Sequence, residues 1–304
     1  MLTKEEMRRR RDIVINNWEL NKDNNLCITS LAKECCVTPE TYRKYLREVG
    51  IDPKGRVFTY KCNRSFFKVI DSEEKAYWLG FLYADGNICI QENNAYILSL
   101  CISKVDEHHL HAFRVALNTN IKIYDKHHIN PHDGSNLIAS RIDISSKELC
   151  FDLIDKGCVP AKSLIKKFPL PSKVPDHLLN HFLRGYFDGN GSIIKSTNGL
   201  TLQLASSNLF LEGLMKFLLD KFNIRPKKIY HPKKSKSQEW GTWKCVNDEA
   251  RIALDYLYKD ATIYLERKYQ KYVKYCGIKK KLLMKKRGNS EKAKSKDKLT
   301  PSGV

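Results

Sequence analysis

Apolar and polar positions along the 304-residue chain switch between helical and strand periods in an order that repeats. Residues 4–20 set Met7, Val14 and Trp18 at core spacing and predict a helix with a basic run from Arg8 to Arg11. After a polar loop, Asn21 to Asn25, residues 29–35 predict a short helix that turns Leu31 and Cys35 inward. Thr38 caps the next helix, and Pro39 takes its first position, where a missing N–H costs nothing. Tyr42, Tyr45 and Leu46 then face inward, while Thr41, Arg43, Lys44 and Arg47 face solvent. Gly50 to Ser65, with Pro53 and Gly55, reads as a linker.

From residue 72 the pattern becomes periodic. A helix opened by Ser72 is followed by strands at 88–90 and 96–102 around an Asn93-Asn94 turn. Next come a helix over 106–117, strands near 121–124 and 137–144, and a helix over 146–155. The second run repeats this order: helix 177–188, strands 192–194 and 200–204, helix 208–222, strands 227–230 and 240–246, helix 248–258. A Pro-containing bridge, Cys158 to Pro175, carries Lys162, Lys166 and Lys167 between the runs. A last helix, 263–276, interleaves Arg267, Lys268, Lys271 and Lys274 with Tyr264, Tyr269, Tyr272 and Tyr275. Past Gly277 ten Lys or Arg face only Glu291 and Asp297, a composition that predicts a disordered, phosphate-binding tail.

Charge narrows the partner. The formal net charge of +20 calls for a polyanion, and the bases are spread through folded segments among aromatics, which favours nucleic acid over a membrane surface. No run approaches the length of a membrane span, and the N-terminus is charged rather than signal-like. The ten cysteines form no Cys-x-x-Cys pair, so zinc-ribbon spacing is absent, and most lie in apolar runs, as in a reducing cytoplasm. The His-containing stretch Lys126 to Asp133 reads as a hairpin tip rather than a zinc site. Arg141, Lys227, Lys228 and Lys244, with Tyr230 and Trp243, suit a sheet that reads a DNA groove, and Lys104 suits the rim of a phosphate track.

The candidate chemistry lies in a duplicated segment. Trp78-Leu79-Gly80-Phe81-Leu82-Tyr83-Ala84-Asp85-Gly86 aligns with Leu183-Arg184-Gly185-Tyr186-Phe187-Asp188-Gly189-Asn190-Gly191. Gly80 and Ala84, like Gly185 and Gly189, are four apart and clear one helix face for a partner at backbone distance. Two helices paired by those faces bring Asp85 and Asn190 together. Their side chains, with the backbone oxygens of Ala84 and Gly189, would then form a Mg²⁺ site for phosphodiester chemistry. Asn190 keeps an oxygen where Asp85 has a carboxylate but removes a full charge. Asp188, two residues away, points about 200° around the helix and does not replace it.

Two resemblances follow. Residues 28–46 resemble a helix-turn-helix, with Cys36 standing where Gly is usual. The two motifs, each followed by a hairpin, resemble the LAGLIDADG homing endonucleases in their single-chain, two-motif form with an N-terminal helix-turn-helix, of phage and bacterial type. That resemblance implies an α+β fold: a pseudo-two-fold pair of αββαββα repeats with antiparallel saddle-shaped sheets, preceded by a small all-α domain. It implies boundaries at 1–50 (helix-turn-helix), 51–71 (linker), 72–157 (first repeat), 158–176 (inter-repeat linker), 177–276 (second repeat) and 277–304 (tail). It also implies a monomeric, cytoplasmic, Mg²⁺-dependent endonuclease acting on double-stranded DNA, with Asp85 and Asn190 at the catalytic positions. Because of Asn190, three outcomes stay open: an impaired cutter, a nickase and a silent DNA-binding regulator. An RNA maturase derived from the same fold stays open as well.

Overall fold

The computed structural model describes residues 3–21, 27–51, 60–129, 134–197, 199–231 and 238–276. The predicted polar loop beyond Asn21, most of the first linker, the end of the His-containing stretch and the basic tail lie outside the described residues. The chain divides into two compact units, residues 1–66 with 102–144, and residues 67–101 with 145–304. The fold is α+β, and every strand pairing described within a unit is antiparallel.

The first unit opens with three helices, α1 (Lys4–Asn21), α2 (Ile28–Glu34) and α3 (Pro39–Glu48). Val14, Ile28, Leu31, Ala32, Tyr42, Tyr45 and Leu46 form their core, and Trp18, Cys35 and Val37 pack on its edge. Met7, expected inward, is 43% exposed and lines an open groove between the first half of α1 and Lys44, Tyr45 and Glu48 of α3. The Tyr42 hydroxyl donates to Asn17 Oδ1 (2.8 Å), tying α3 to α1. Thr38 Oγ1 accepts from the Thr41 N–H (3.2 Å) and caps α3 with Pro39 following, as its sequence predicts. Between α2 and α3 the chain turns at Cys36, whose φ is +53°, while the Val37 N–H returns to the Ala32 carbonyl (2.9 Å). The left-handed turn expected of this motif is therefore present, carried by a residue with a Cβ.

The same unit contains α5 (Glu107–Ala116) and a hairpin of β3 (Tyr124–Ile129) with β4 (Asn136–Ser145), in register from Tyr124↔Arg141 to Ile129↔Asn136. The strand expected near 121–124 starts where that stretch ends; every residue of β3 is exposed, so no burial alternation marks it. His109 on α5 is buried, and burial pulls its imidazole down to about 3.

The second unit is built around α4 (Glu73–Asp85) and α7 (Leu179–Asn190). Eight consecutive residues of α4, Ala76 to Tyr83, are buried, which makes it a central rather than a surface helix. Ser72 caps α4 at the Lys75 N–H (3.4 Å), with Glu73 and Glu74 in the positive first turn. Each of these helices runs directly into a hairpin: β1 (Gly86–Ile90) with β2 (Tyr96–Ser103), and β5 (Gly191–Ser196) with β6 (Gly199–Ser207). β7 (Trp240–Val246) extends the latter into a three-stranded sheet in the order β5-β6-β7. Helices α6 (Lys147–Asp155), α8 (Asn208–Phe222), α9 (Asn247–Tyr258) and α10 (266–276) complete the unit. Ser146 and Ser207 cap α6 and α8. The strand expected over 227–230 is reduced to one bridge, Tyr230↔Thr242, because the chain meets β7 only at that point.

Replacing Cys36 with Gly removes the cost of a Cβ in a left-handed turn and is expected to stabilise the protein by about 0.5–1 kcal/mol, read as a raised thermal midpoint. His109 gives an acid limb. Its folded value of about 3 lies below the unfolded 6.5, so the unfolded chain binds the proton first, and stability falls as pH drops through that window, by at most about 1.4 kcal/mol per unit. His109→Leu is expected to flatten that limb in denaturant titrations run between pH 6.5 and 4.

Candidate active site

Gly80 and Gly185 let α4 and α7 touch along their backbones. A Cβ on Gly80 would lie 1.9 Å from the Phe182 carbonyl oxygen and 2.9 Å from the Tyr186 nitrogen. A Cβ on Gly185 would lie 2.0 Å from the Tyr77 carbonyl oxygen and 2.8 Å from the Phe81 nitrogen. Gly80 and Gly185, Tyr77 and Phe182, and Phe81 and Tyr186 are each 105 positions apart, so the contact is a two-fold relation between the repeats.

This contact brings the C-terminal ends of the helices together. A Cβ on Gly189 would meet the Ala84 Cβ at 2.3 Å and Asp85 Oδ2 at 3.1 Å. Asp85 therefore lies against the Gly189-Asn190 turn, with its side chain open to solvent. Partial desolvation raises its carboxyl above the ordinary value, opposed by Lys268, Lys166, Lys162 and Arg267. Asn190 is half-buried and hydrogen-bonds the Tyr186 phenol. Among the described residues no group of three or more His, Cys, Asp or Glu side chains is placed to hold a metal ion by itself.

Three of the cations beside Asp85 are buried lysines. Lys162 donates to the Gly86 carbonyl at the end of α4. Lys268 donates to the carbonyls of Phe187 (2.8 Å), Asp188 (2.5 Å) and Gly189 (3.4 Å) at the end of α7. Each therefore sits where a helix dipole is negative, which offsets part of the cost of burying an ammonium. Lys166 lies 5.2 Å from the centroid of the Tyr186 ring.

The two-fold relation breaks behind the site. Asp188 is fully buried and accepts from the Tyr77 hydroxyl (2.8 Å), the Leu265 N–H (2.7 Å) and the Tyr258 hydroxyl. Burial raises its carboxyl, against Lys268 and these donors. The two-fold counterparts, Tyr83 for Asp188 (105 residues earlier) and Phe182 for Tyr77 (105 later), make an aromatic edge contact instead, at 5.3 Å. Arg184, also fully buried, joins α7 to Glu73 (2.6 Å) and to the carbonyls of Leu257 (3.0 Å) and Ile263 (2.8 Å).

The remaining sequence candidates fall in separate places. Thr41 and Arg43 are half-buried and Lys44 and Arg47 exposed on α3. Lys104 is held by Asp125 (2.6 Å) and Glu107, so its ammonium is already occupied. Arg141 pairs with Asp143 (2.9 Å) on its own strand. Lys227 pairs with Glu249 (2.9 Å), and with Lys228, Tyr230 and Lys244 it lines one groove on the sheet face. Lys244 lies 5.5 Å from the Tyr230 ring. Lys162, Lys166 and Lys268 carry no site role in the sequence reading, since nothing in their local sequence sets them apart from other lysines.

Residues 178–277 match a family model described as a LAGLIDADG-like domain, which shows in that segment the resemblance read from its motif. No curated protein matches the chain. Among solved structures the chain is similar to "the homing endonuclease I-WcaI bound to its DNA recognition sequence", at 14% identity over 76% of this chain and 96% of that one, with a TM-score of 0.47. It is similar to I-SmaMI bound to an uncleaved DNA target in the presence of calcium ions, at 14% identity over 72% and 93%, TM-score 0.44. It is also similar to full-length DUF199/WhiA from Thermatoga maritima, at 15% identity over 76% and 72%, TM-score 0.41. No helix among the described residues is long and apolar enough to cross a membrane.

Gly185→Ala is expected to force α4 and α7 apart and to cost about 3 kcal/mol in urea unfolding, because the atom it meets is a backbone carbonyl that cannot rotate away.

Proposed function

We propose that the chain is a sequence-specific double-stranded-DNA endonuclease whose catalytic centre lies where α4 and α7 end, and that it nicks one strand. The observation that carries this reading is the position of Asp85 against the Gly189-Asn190 turn, at the end of two helices joined backbone to backbone. In this reading residues 72–157 and 177–276 are the two repeats. Residues 1–50 form a second DNA-binding module, presenting Thr41, Arg43, Lys44 and Arg47. Arg141, Lys227, Lys228 and Lys244 add phosphate or base contacts from the sheets. The protein acts as a monomer in a bacterial or phage-infected cytoplasm.

A divalent cation suits the residues present. Mg²⁺ is commonly held by one or two carboxylates together with substrate phosphates, and Asp85 is such a carboxylate, against Gly189, whose carbonyl Lys268 already approaches (3.4 Å). Bound there, Mg²⁺ would supply an activated water and neutralise charge on the phosphate. Asp85 holds its side of the site as an anion, assisted by the cations around it. Asn190 offers an amide oxygen without charge and is engaged by Tyr186, so the second side binds a hard cation less well. Lys162 and Lys268 hold the helix ends in place. The two strands of a duplex would therefore meet unequal halves.

The test uses a supercoiled plasmid carrying the uninterrupted form of the locus that holds the gene. The protein with Mg²⁺ is expected to give nicked circles, Asp85→Asn none, and Asn190→Asp linear product. Linear product from the parent would overturn the nicking assignment. Cleavage by Asn190→Asp alone would make the parent a silent DNA binder, and no cleavage by any variant would end the endonuclease reading.

A further inference from the structure

Lys166 differs from the other buried lysines at the site. Its side chain comes from the bridge between the repeats, and its own carbonyl is fixed by the Ser207 hydroxyl (2.5 Å), the same hydroxyl that caps α8. The residue is 5% exposed. Lys162 and Lys268 spend their protons on helix-end carbonyls, whereas the Lys166 ammonium makes no hydrogen bond within the described residues and rests over the Tyr186 ring. The charged and titratable groups facing it are Asp85, Lys162 and Cys158.

The charge around Asp85 is out of balance. Lys268, Lys166, Lys162 and Arg267 all act on Asp85; Lys268 is shared with the buried Asp188 carboxylate, and Asn190 adds no further anion. A buried ammonium without a hydrogen-bond partner is costly, and the cost is relieved by an anion that brings oxygen acceptors. A phosphodiester has both the charge and the acceptors, and a single Lys–phosphate contact releases about one counterion.

We infer that Lys166 is a phosphate-binding residue which seats a DNA backbone phosphate on the Asp85 side of the cleft without any metal ion. The inference rests on the DNA-binding part of the proposed function and adds a contact that acts before catalysis. Tyr186 supports the stem beneath the ammonium, and Ser207 keeps the backbone from shifting, so the head is presented in one place. Duplex binding then persists in a chelator, and the seat is lost when the ammonium is lost.

The experiment measures binding of the full chain to a fluorescein-labelled mixed-sequence duplex in EDTA by anisotropy, across about 50–200 mM salt. Lys166→Met is expected to weaken binding about three- to tenfold and to lower the slope of log affinity against log salt by about one. Lys166→Arg is expected to keep the parental slope, and Lys166→Gln repeats the measurement if the methionine variant fails to fold. Parental affinity and slope in a folded neutral variant would overturn the assignment. Equal loss in the arginine and neutral variants would overturn it too, by showing a packing role. Failure of the parent itself to bind duplex would instead overturn the DNA-binding reading on which the inference stands.

Discussion

Two helices in this protein approach until the backbone of each occupies the space where the other would carry a Cβ. Gly80 against Phe182 and Gly185 against Tyr77 leave no room for even a methyl group, so the register and separation of α4 and α7 are set together. Ridge-into-groove packing of ordinary side chains holds axes about 8–10 Å apart and tolerates some sliding. A backbone contact does not. The consequence is positional: the two helices end at the same level, and Asp85 meets the turn at Gly189.

Around this contact the unit carries more buried charge than a core of its kind needs. Arg184, Asp188, Lys162, Lys166 and Lys268 are all nearly or fully buried. Desolvating an ion costs several kcal/mol, and the partners here are what make that tolerable. Asp188 takes the N–H that opens α10 while Lys268, one turn into α10, takes the carbonyls that close α7. The two elements are latched reciprocally. Removing either side chain would take away the opposite charge that faces the other, which keeps its own hydrogen bonds, and would undo half of the latch that docks α10 on α7. Its counterpart in the first half is an aromatic contact, and the repeats are alike in path without being alike in chemistry.

Electrostatics act at two ranges. A net charge of +20 attracts a polyanion from a distance and is screened within about 10 Å at ordinary salt. The cations around Asp85 act at shorter range in a partly desolvated site, where screening is weaker. Part of the remaining basic surface is already engaged: Lys104, Arg141 and Lys227 each have an acidic partner. Charge counted along the chain therefore overstates the number of cations free for a ligand.

The duplicated motif, the caps at Ser72 and Thr38, and most helices and hairpins were legible because they depend on neighbours three or four positions apart. The small residues at 80, 84, 185 and 189 marked the helix pairing for the same reason. The strand expected near 121–124 lies at 124–129 and has no buried face, and the one expected over 227–230 lacks a pairing partner over most of its length. Cys36 carried its left-handed turn without the glycine that would have announced it. The sequence by itself determined the repeat, the two glycine notches and the loss of one charge at position 190. Only the tertiary structure decided which lysines surround Asp85 and that Asp188 serves the latch, because those partners lie 70 to 183 residues apart and desolvation is a property of the packed whole.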